Sequence, residues 1–266
     1  MDQRIPVLVQ PVIENYVNRF NEHLPELLCG FYVVGSIALG EFNQYFSDID
    51  FVAVLNRRMT PGETGKLQSI HQELEKNVPQ WKMSGSYIQP GDLGELDEHI
   101  QPHPHYHDGI LHLDARHELN AVTWWELKNR GIAVVGIEPQ NLTFHVDWNT
   151  LLAEMSENLN TYWAGWTSRP VRIAMLYSDW GIQWAVTGVL RQFYTFRENT
   201  ITTKIKAAEY ALSCLPGRWR PLIQEAINIR EKKSSSAYSF RIARTIEAVR
   251  FLRFIIQTCN TLYSQK

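Results

Sequence analysis

The sequence predicts an α/β (α+β) domain with a small mixed sheet over residues 1–147, followed by an all-α helical bundle over residues 148–266. The order of the periodic segments predicts this architecture. Up to about residue 136, short apolar runs bounded by Gly and Pro alternate with segments of helical period, and beyond the linker every periodic segment is helical. The charge also changes sign along the chain. Residues 1–168 hold 10 Lys+Arg against 22 Asp+Glu, a balance of −12, and residues 169–266 hold 16 against 6, a balance of +10. With 266 residues, 44% hydrophobic and 20% charged, the chain can bury the core of two modest domains.

The elements follow in order. Val9, Val12, Ile13, Tyr16, Val17 and Phe20 mark an amphipathic helix from about Pro6 to Leu28, stopped by Gly30. Phe31 to Val34 reads as a short buried strand, and GSIALG after it as a tight turn that opens a short helix. Ile49 to Leu55 is the second strand, Pro61 to Asn77 a helix with Pro in its first turn, and Trp81 to Ile88 a third strand. Residues 92–117 read as a His-rich, poorly periodic connection. Asn120 to Asn129 is a helix closed by Gly131, IAVVG a fourth strand, and Glu138 to Asp147 a linker. Helices are then expected over 149–166, 170–197, 202–215, 219–233 and 238–262.

Chemistry concentrates between Gly35 and Leu55. Asp48 and Asp50 are two apart at the start of an apolar strand, so their carboxylates share one face. Such a pair repels itself unless a cation lies between, and magnesium with phosphate oxygens suits it. Gly35 lets backbone approach a phosphate closely, and Ser36 offers a hydroxyl. Gly-Ser after one apolar strand and Asp-x-Asp opening the next is far more specific than Asp-x-Asp alone.

Other features bound the reading. Cys29, Cys214 and Cys259 are odd in number and widely spaced, which suits buried thiols in the cytoplasm rather than a disulfide framework. No run of about 18 apolar residues and no signal-peptide order is present, so no membrane association is expected. Nothing combines a basic stripe with interleaved aromatics, so no nucleic-acid partner is expected. His103, His105 and His107 alternate and in an extended segment would share a face fit for zinc. Pro102 and Pro104 instead suggest an exposed loop lining an acceptor pocket, in which a histidine or Asp108 takes a proton. His99, His112 and His117 belong to the same run. Trp124, Trp125, Trp163, Trp166, Trp180 and Trp184 fall on expected helices as core residues, with Trp163 or Trp166 also candidates to stack on an adenine or sugar.

The Gly-Ser, spacer, Asp-x-Asp signature resembles that of the nucleotidyltransferase superfamily. More narrowly, the chain is similar to the aminoglycoside adenylyltransferases acting on streptomycin and spectinomycin, also through Val122 to Pro139 and through Trp184 to Pro216. The resemblance implies that Asp48 and Asp50 hold Mg2+, that Gly35, Ser36 and Ser47 lie at the nucleotide, and that Arg191 and Lys204 face the triphosphate of ATP. It also implies a third carboxylate as base on the strand after the second helix, where this chain has Ser84. The expected activity is transfer of AMP from ATP to a hydroxyl of a small cationic acceptor such as an aminoglycoside. The alternatives are a catalytically degenerate nucleotide-binding module, favoured by Ser84, and an AMP transferase acting on a protein. Asp92, Glu95, Asp108 and Asp114 are candidate substitutes for the base.

Overall fold

In the computed structural model, which describes residues 2–96, 99–115, 119–234 and 236–265, the chain divides into two compact units, Met1–Asp147 and Trp148–Lys266. The first contains α1 (Gln10–His23), β1 (Leu28–Val33), α2 (Gly35–Ala38), β2 (Ile49–Leu55), α3 (Pro61–Asn77), β3 (Met83–Ile88), β4 (His103–His107), β5 (Ile110–Ala115), α4 (Ala121–Arg130) and β6 (Ile132–Val135). Its six strands form one mixed sheet in the order β5-β4-β3-β2-β1-β6. Only β2 and β3 run parallel, and α3 supplies the crossover that a parallel pair requires. Each neighbouring pair apart from these is antiparallel.

Alternation along the strands feeds two cores. Phe31, Phe51, Ala53, Tyr87 and Tyr106 pack with Tyr16 and Phe20 of α1 and Leu67, Ile70 and Leu74 of α3. Tyr32, Val52, Val54 and Ile88 pack on the opposite face with Trp124 and Leu127 of α4. Asp50 is in step with Val52 and Val54 and so belongs to the α4 side. The α1–α3 core holds a polar cluster: Tyr87 hydroxyl meets both Tyr16 hydroxyl and His71 Nε2, and the His71 ring stacks on Tyr106. Burial pulls His71 down to about 3 and keeps it neutral.

Three expectations are corrected. The first helix is shorter than Pro6–Leu28, because Pro25 disfavours helical backbone at Leu24, which adopts φ −132° and ψ 61°. The His-rich segment is a β-hairpin, not an irregular connection. Asp108 and Gly109 both have positive φ (48° and 81°), as a two-residue hairpin turn with the twist of its strands requires. His103 and His105 are buried because Ser86 supplies hydrogen-bond partners for both. Of that run, His117 lies outside the described residues. The single helix expected over 170–197 is two, since Ser178 accepts from Gly181 N (3.0 Å) and caps a new start.

The second unit is helical throughout: α5 (Trp148–Asn158), a π-turn at Leu159–Trp163, α6 (Ala164–Ser168), α7 (Pro170–Met175), α8 (Asp179–Glu198), α9 (Lys204–Cys214), α10 (Arg220–Arg230) and α11 (Arg241–Tyr263). Helix α8 is its axis, burying Ile182, Val186, Val189, Leu190, Phe193 and Phe196 against α9, α10 and α11. Arg244 of α11 is buried and bonds Glu225 of α10 at 2.9 Å, so the charges enter the core only as a pair. No described helix is long and apolar enough to cross a membrane.

Candidate functional site

The end of β1 and the start of β2 bring the Gly-Ser pair to the carboxylates. Val34 N donates to the Asp50 carbonyl (3.0 Å), and the chain then turns through Gly35 at φ +62°. A Cβ at residue 35 would fall 2.1 Å from Asp50 Oδ2. The turn therefore lies directly against that carboxylate, as only glycine permits. Beside it the Ser36 hydroxyl oxygen is buried with no hydrogen-bond partner among the described residues. A buried hydroxyl without a partner is costly, and a phosphate oxygen or metal-bound oxygen would satisfy it.

Asp48 immediately precedes β2 and Asp50 is its second residue, so the spacing of two turns both toward one side, and both are half-buried. Ser47 is spent on the turn before them: its hydroxyl accepts from Asn43 N (3.1 Å) and its own N donates to the Asn43 carbonyl (2.8 Å). Ser47 thus shapes the approach to Asp48. The donor set of two carboxylates and one hydroxyl is hard oxygen throughout and fits magnesium. No group of three or more His, Cys, Asp or Glu among the described residues is arranged to hold a metal ion.

Ser84 stands directly beside Asp50 in the parallel β2–β3 register. Its hydroxyl meets His107 Nδ1 at 3.1 Å. Asp108 Oδ2 lies 3.3 Å from His107 Nε2, and Asp108 Oδ1 accepts from Lys82 Nζ at 3.1 Å. The Lys82 hydrogen bond, more than the neighbouring His107 ring, holds the Asp108 carboxyl below its usual range. Lys82 is raised in turn, chiefly by Asp108 and to a lesser degree by Asp48. The other acids considered as substitutes are engaged or distant. Asp92 accepts from Gln89 N (2.9 Å), Glu95 pairs with His99 (3.8 Å), and Asp114 sits on the edge strand β5. Sequence reasoning offered a histidine of this run or Asp108 as the proton acceptor; what it missed is the contact of His107 with Ser84. Its only advance signal was Asp108-Gly109 between alternating residues, which marks a hairpin.

Arg191 and Lys204 belong to the helical unit. Arg191 lies on α8 seven residues after Trp184, and so on the same helix face. Lys204 opens α9, and its Nζ sits 4.2 Å from the Trp184 ring centroid. Trp184 stacks on exposed Trp180 at 5.5 Å. Trp163 and Trp166 are buried instead, Trp163 against Gly188 of α8, which removes them as stacking surfaces.

Residues 13–87 match the nucleotidyltransferase domain, and residues 183–253 match the C-terminal domain of aminoglycoside adenylyltransferases. The fold is similar to that of a spectinomycin adenyltransferase from Enterococcus faecialis, crystallised with ATP and spectinomycin. The TM-score is 0.67 at 13% identity, over 93% of this chain and 99% of that one. No curated protein sequence matches the chain. The chain is thus an enzyme with a nucleotidyltransferase domain at residues 13–87, and it resembles the aminoglycoside adenylyltransferases through residues 183–253 and in its fold.

Proposed function

We propose that the chain transfers AMP from ATP to a hydroxyl of a small cationic acceptor such as an aminoglycoside, with pyrophosphate leaving. The observation that carries this reading is the Gly35 turn packed on the Asp50 carboxylate, with the buried Ser36 hydroxyl beside it. Asp48 and Asp50 hold Mg2+, and Gly35 and Ser36 take phosphate oxygens. Bound magnesium would neutralise triphosphate charge and make the α-phosphorus more electrophilic. Arg191 and Lys204 act from the helical unit on the leaving pyrophosphate, and Ser47 sets the approach to Asp48. The functional division falls at residues 147 and 148: the first unit carries the nucleotide and metal, the second the cations for the leaving group.

The acidic first unit attracts a cationic acceptor and the basic second unit an anionic nucleotide. The free thiols of Cys29, Cys214 and Cys259 fit a reducing, cytoplasmic setting, where modification of an aminoglycoside would give antibiotic resistance.

The test is pyrophosphate release from ATP and magnesium with spectinomycin and streptomycin, beside a direct titration of ATP binding. Acceptor-dependent release that disappears in Asp50→Asn, together with magnesium-dependent ATP binding, supports the proposal. ATP binding that is intact and still magnesium-dependent in Asp50→Asn refutes the metal assignment. Binding of ATP by the wild type without release supports the second reading, a nucleotide-binding module, which Ser84 in place of a carboxylate favours.

A further inference from the structure

Transfer to a hydroxyl needs a group that accepts its proton, and Asp48 and Asp50 are committed to a cation. One row of side chains crosses three strands beside them: Asp50 on β2, Ser84 in register on β3, and His107 opposite Ser84 on β4. The carboxylate of Asp108 faces the far nitrogen of His107. Its charge favours a proton on the near nitrogen, Nε2, which leaves Nδ1 to accept from the Ser84 hydroxyl at 3.1 Å. His107 and Asp108 have side chains 50% and 64% exposed, whereas His105, one step along the same ladder, is buried. Of these two histidines, His107 is the one that combines a position next to Ser84 with access to solvent.

We propose that Ser84, His107 and Asp108 form a proton relay that does the work of the missing carboxylate. The acceptor hydroxyl gives its proton to Ser84 Oγ while Ser84 gives its own to His107 Nδ1. The acceptor oxygen bonds the α-phosphorus as the bond from that phosphorus to the pyrophosphate oxygen breaks. The imidazolium is held by Asp108 and returns its proton to water once product leaves. Ser84 meets the acceptor, and His107 acts through it. Lys82 and Asp108 from the flanking strands, His105 and His112 from the hairpin, and Asp48 and Asp50 beyond Ser84 are the charged or titratable groups that face this row.

The inference rests on the adenylyl-transfer reading, and the experiment separates the two. In the full chain with magnesium, ATP and spectinomycin or streptomycin, His107→Gln lowers kcat by roughly 10²–10⁴-fold and leaves KM for ATP and acceptor in place. Adding Ser84→Glu to that variant restores turnover by putting a carboxylate where the acceptor proton is taken up. Side-chain nitrogen NMR of the ligand-free protein shows His107 protonated on Nε2, with an Nδ1 signal that shifts in Ser84→Ala. An unchanged kcat in His107→Gln, or a proton on Nδ1, overturns the relay while Asp50→Asn still abolishes release. Release that survives in Asp50→Asn, or no release from the wild type, overturns the parent reading and the relay with it.

Discussion

At Gly35 a methyl group would meet Asp50 Oδ2 at 2.1 Å, and the backbone already sits at φ +62°. Gly35→Ala therefore adds about 1–2 kcal/mol of left-handed strain and pushes the carboxylate off its place. The expected outcome is at least a tenfold weaker magnesium-dependent ATP affinity, which corresponds to about 1.4 kcal/mol, with the circular dichroism spectrum unchanged. Calorimetric titration checks it, and undiminished affinity refutes the contact's role. At this scale the sequence was informative where a residue violates its surroundings. Two acids opening the apolar strand IDFVAVL cannot be explained by solubility, and a glycine followed by serine after the preceding strand cannot be explained by packing. The Ser84–His107 contact was not legible, because the partners are 23 residues apart and each is ordinary alone.

The β4–β5 hairpin shows what the pattern of an element does and does not disclose. Asp108-Gly109 is a strong two-residue turn signal, yet Pro104 within β4 and the scattered histidines masked the alternation around it. The strand forms because Ser86 satisfies His105 and His103 on one side while Tyr106 fills the α1–α3 core on the other. Gly109→Ala places a Cβ residue at φ +81° and is expected to cost roughly 1–2 kcal/mol. At about 2–4 °C per kcal/mol, a thermal melt should fall by about 2–8 °C, and an unchanged midpoint would show that the turn tolerates a side chain. By contrast α3 was readable to the residue. Thr60 and Glu63 form a capping box around Pro61, a purely local device that owes nothing to tertiary contacts. The gap between α7 and α8 was missed because Ser178 is one cap inside a continuous apolar period.

For the whole molecule, the alternating-then-helical order foretold the mixed sheet followed by helices. Strand order was not foretold, since pairing depends on contacts that no local pattern encodes. The interior of the first unit also sets a pH dependence. His71 is drawn down to about 3 by burial, and His105 to about 4 by burial and then by the neighbouring histidines His107, His103 and His112. Both stay neutral when folded but take up a proton near 6.5 when unfolded. The unfolded chain thus binds more protons below 6.5, and stability declines as pH falls through the window from 6.5 toward 4. The slope approaches about 1.4 kcal/mol per pH unit for each histidine. Urea unfolding across that window measures it, and His71→Gln should flatten the dependence; an unaltered slope would assign it elsewhere. The sheet order has one more consequence. The strand leading into Gly35 and the strand bearing Asp50 lie inside the sheet, while His107 and Asp108 ride on the His103–Ala115 ribbon at its margin. Mutation can therefore rewrite the rim as a cassette and leave the middle untouched, so that one proton carrier can be exchanged for another without rebuilding the proposed nucleotide site.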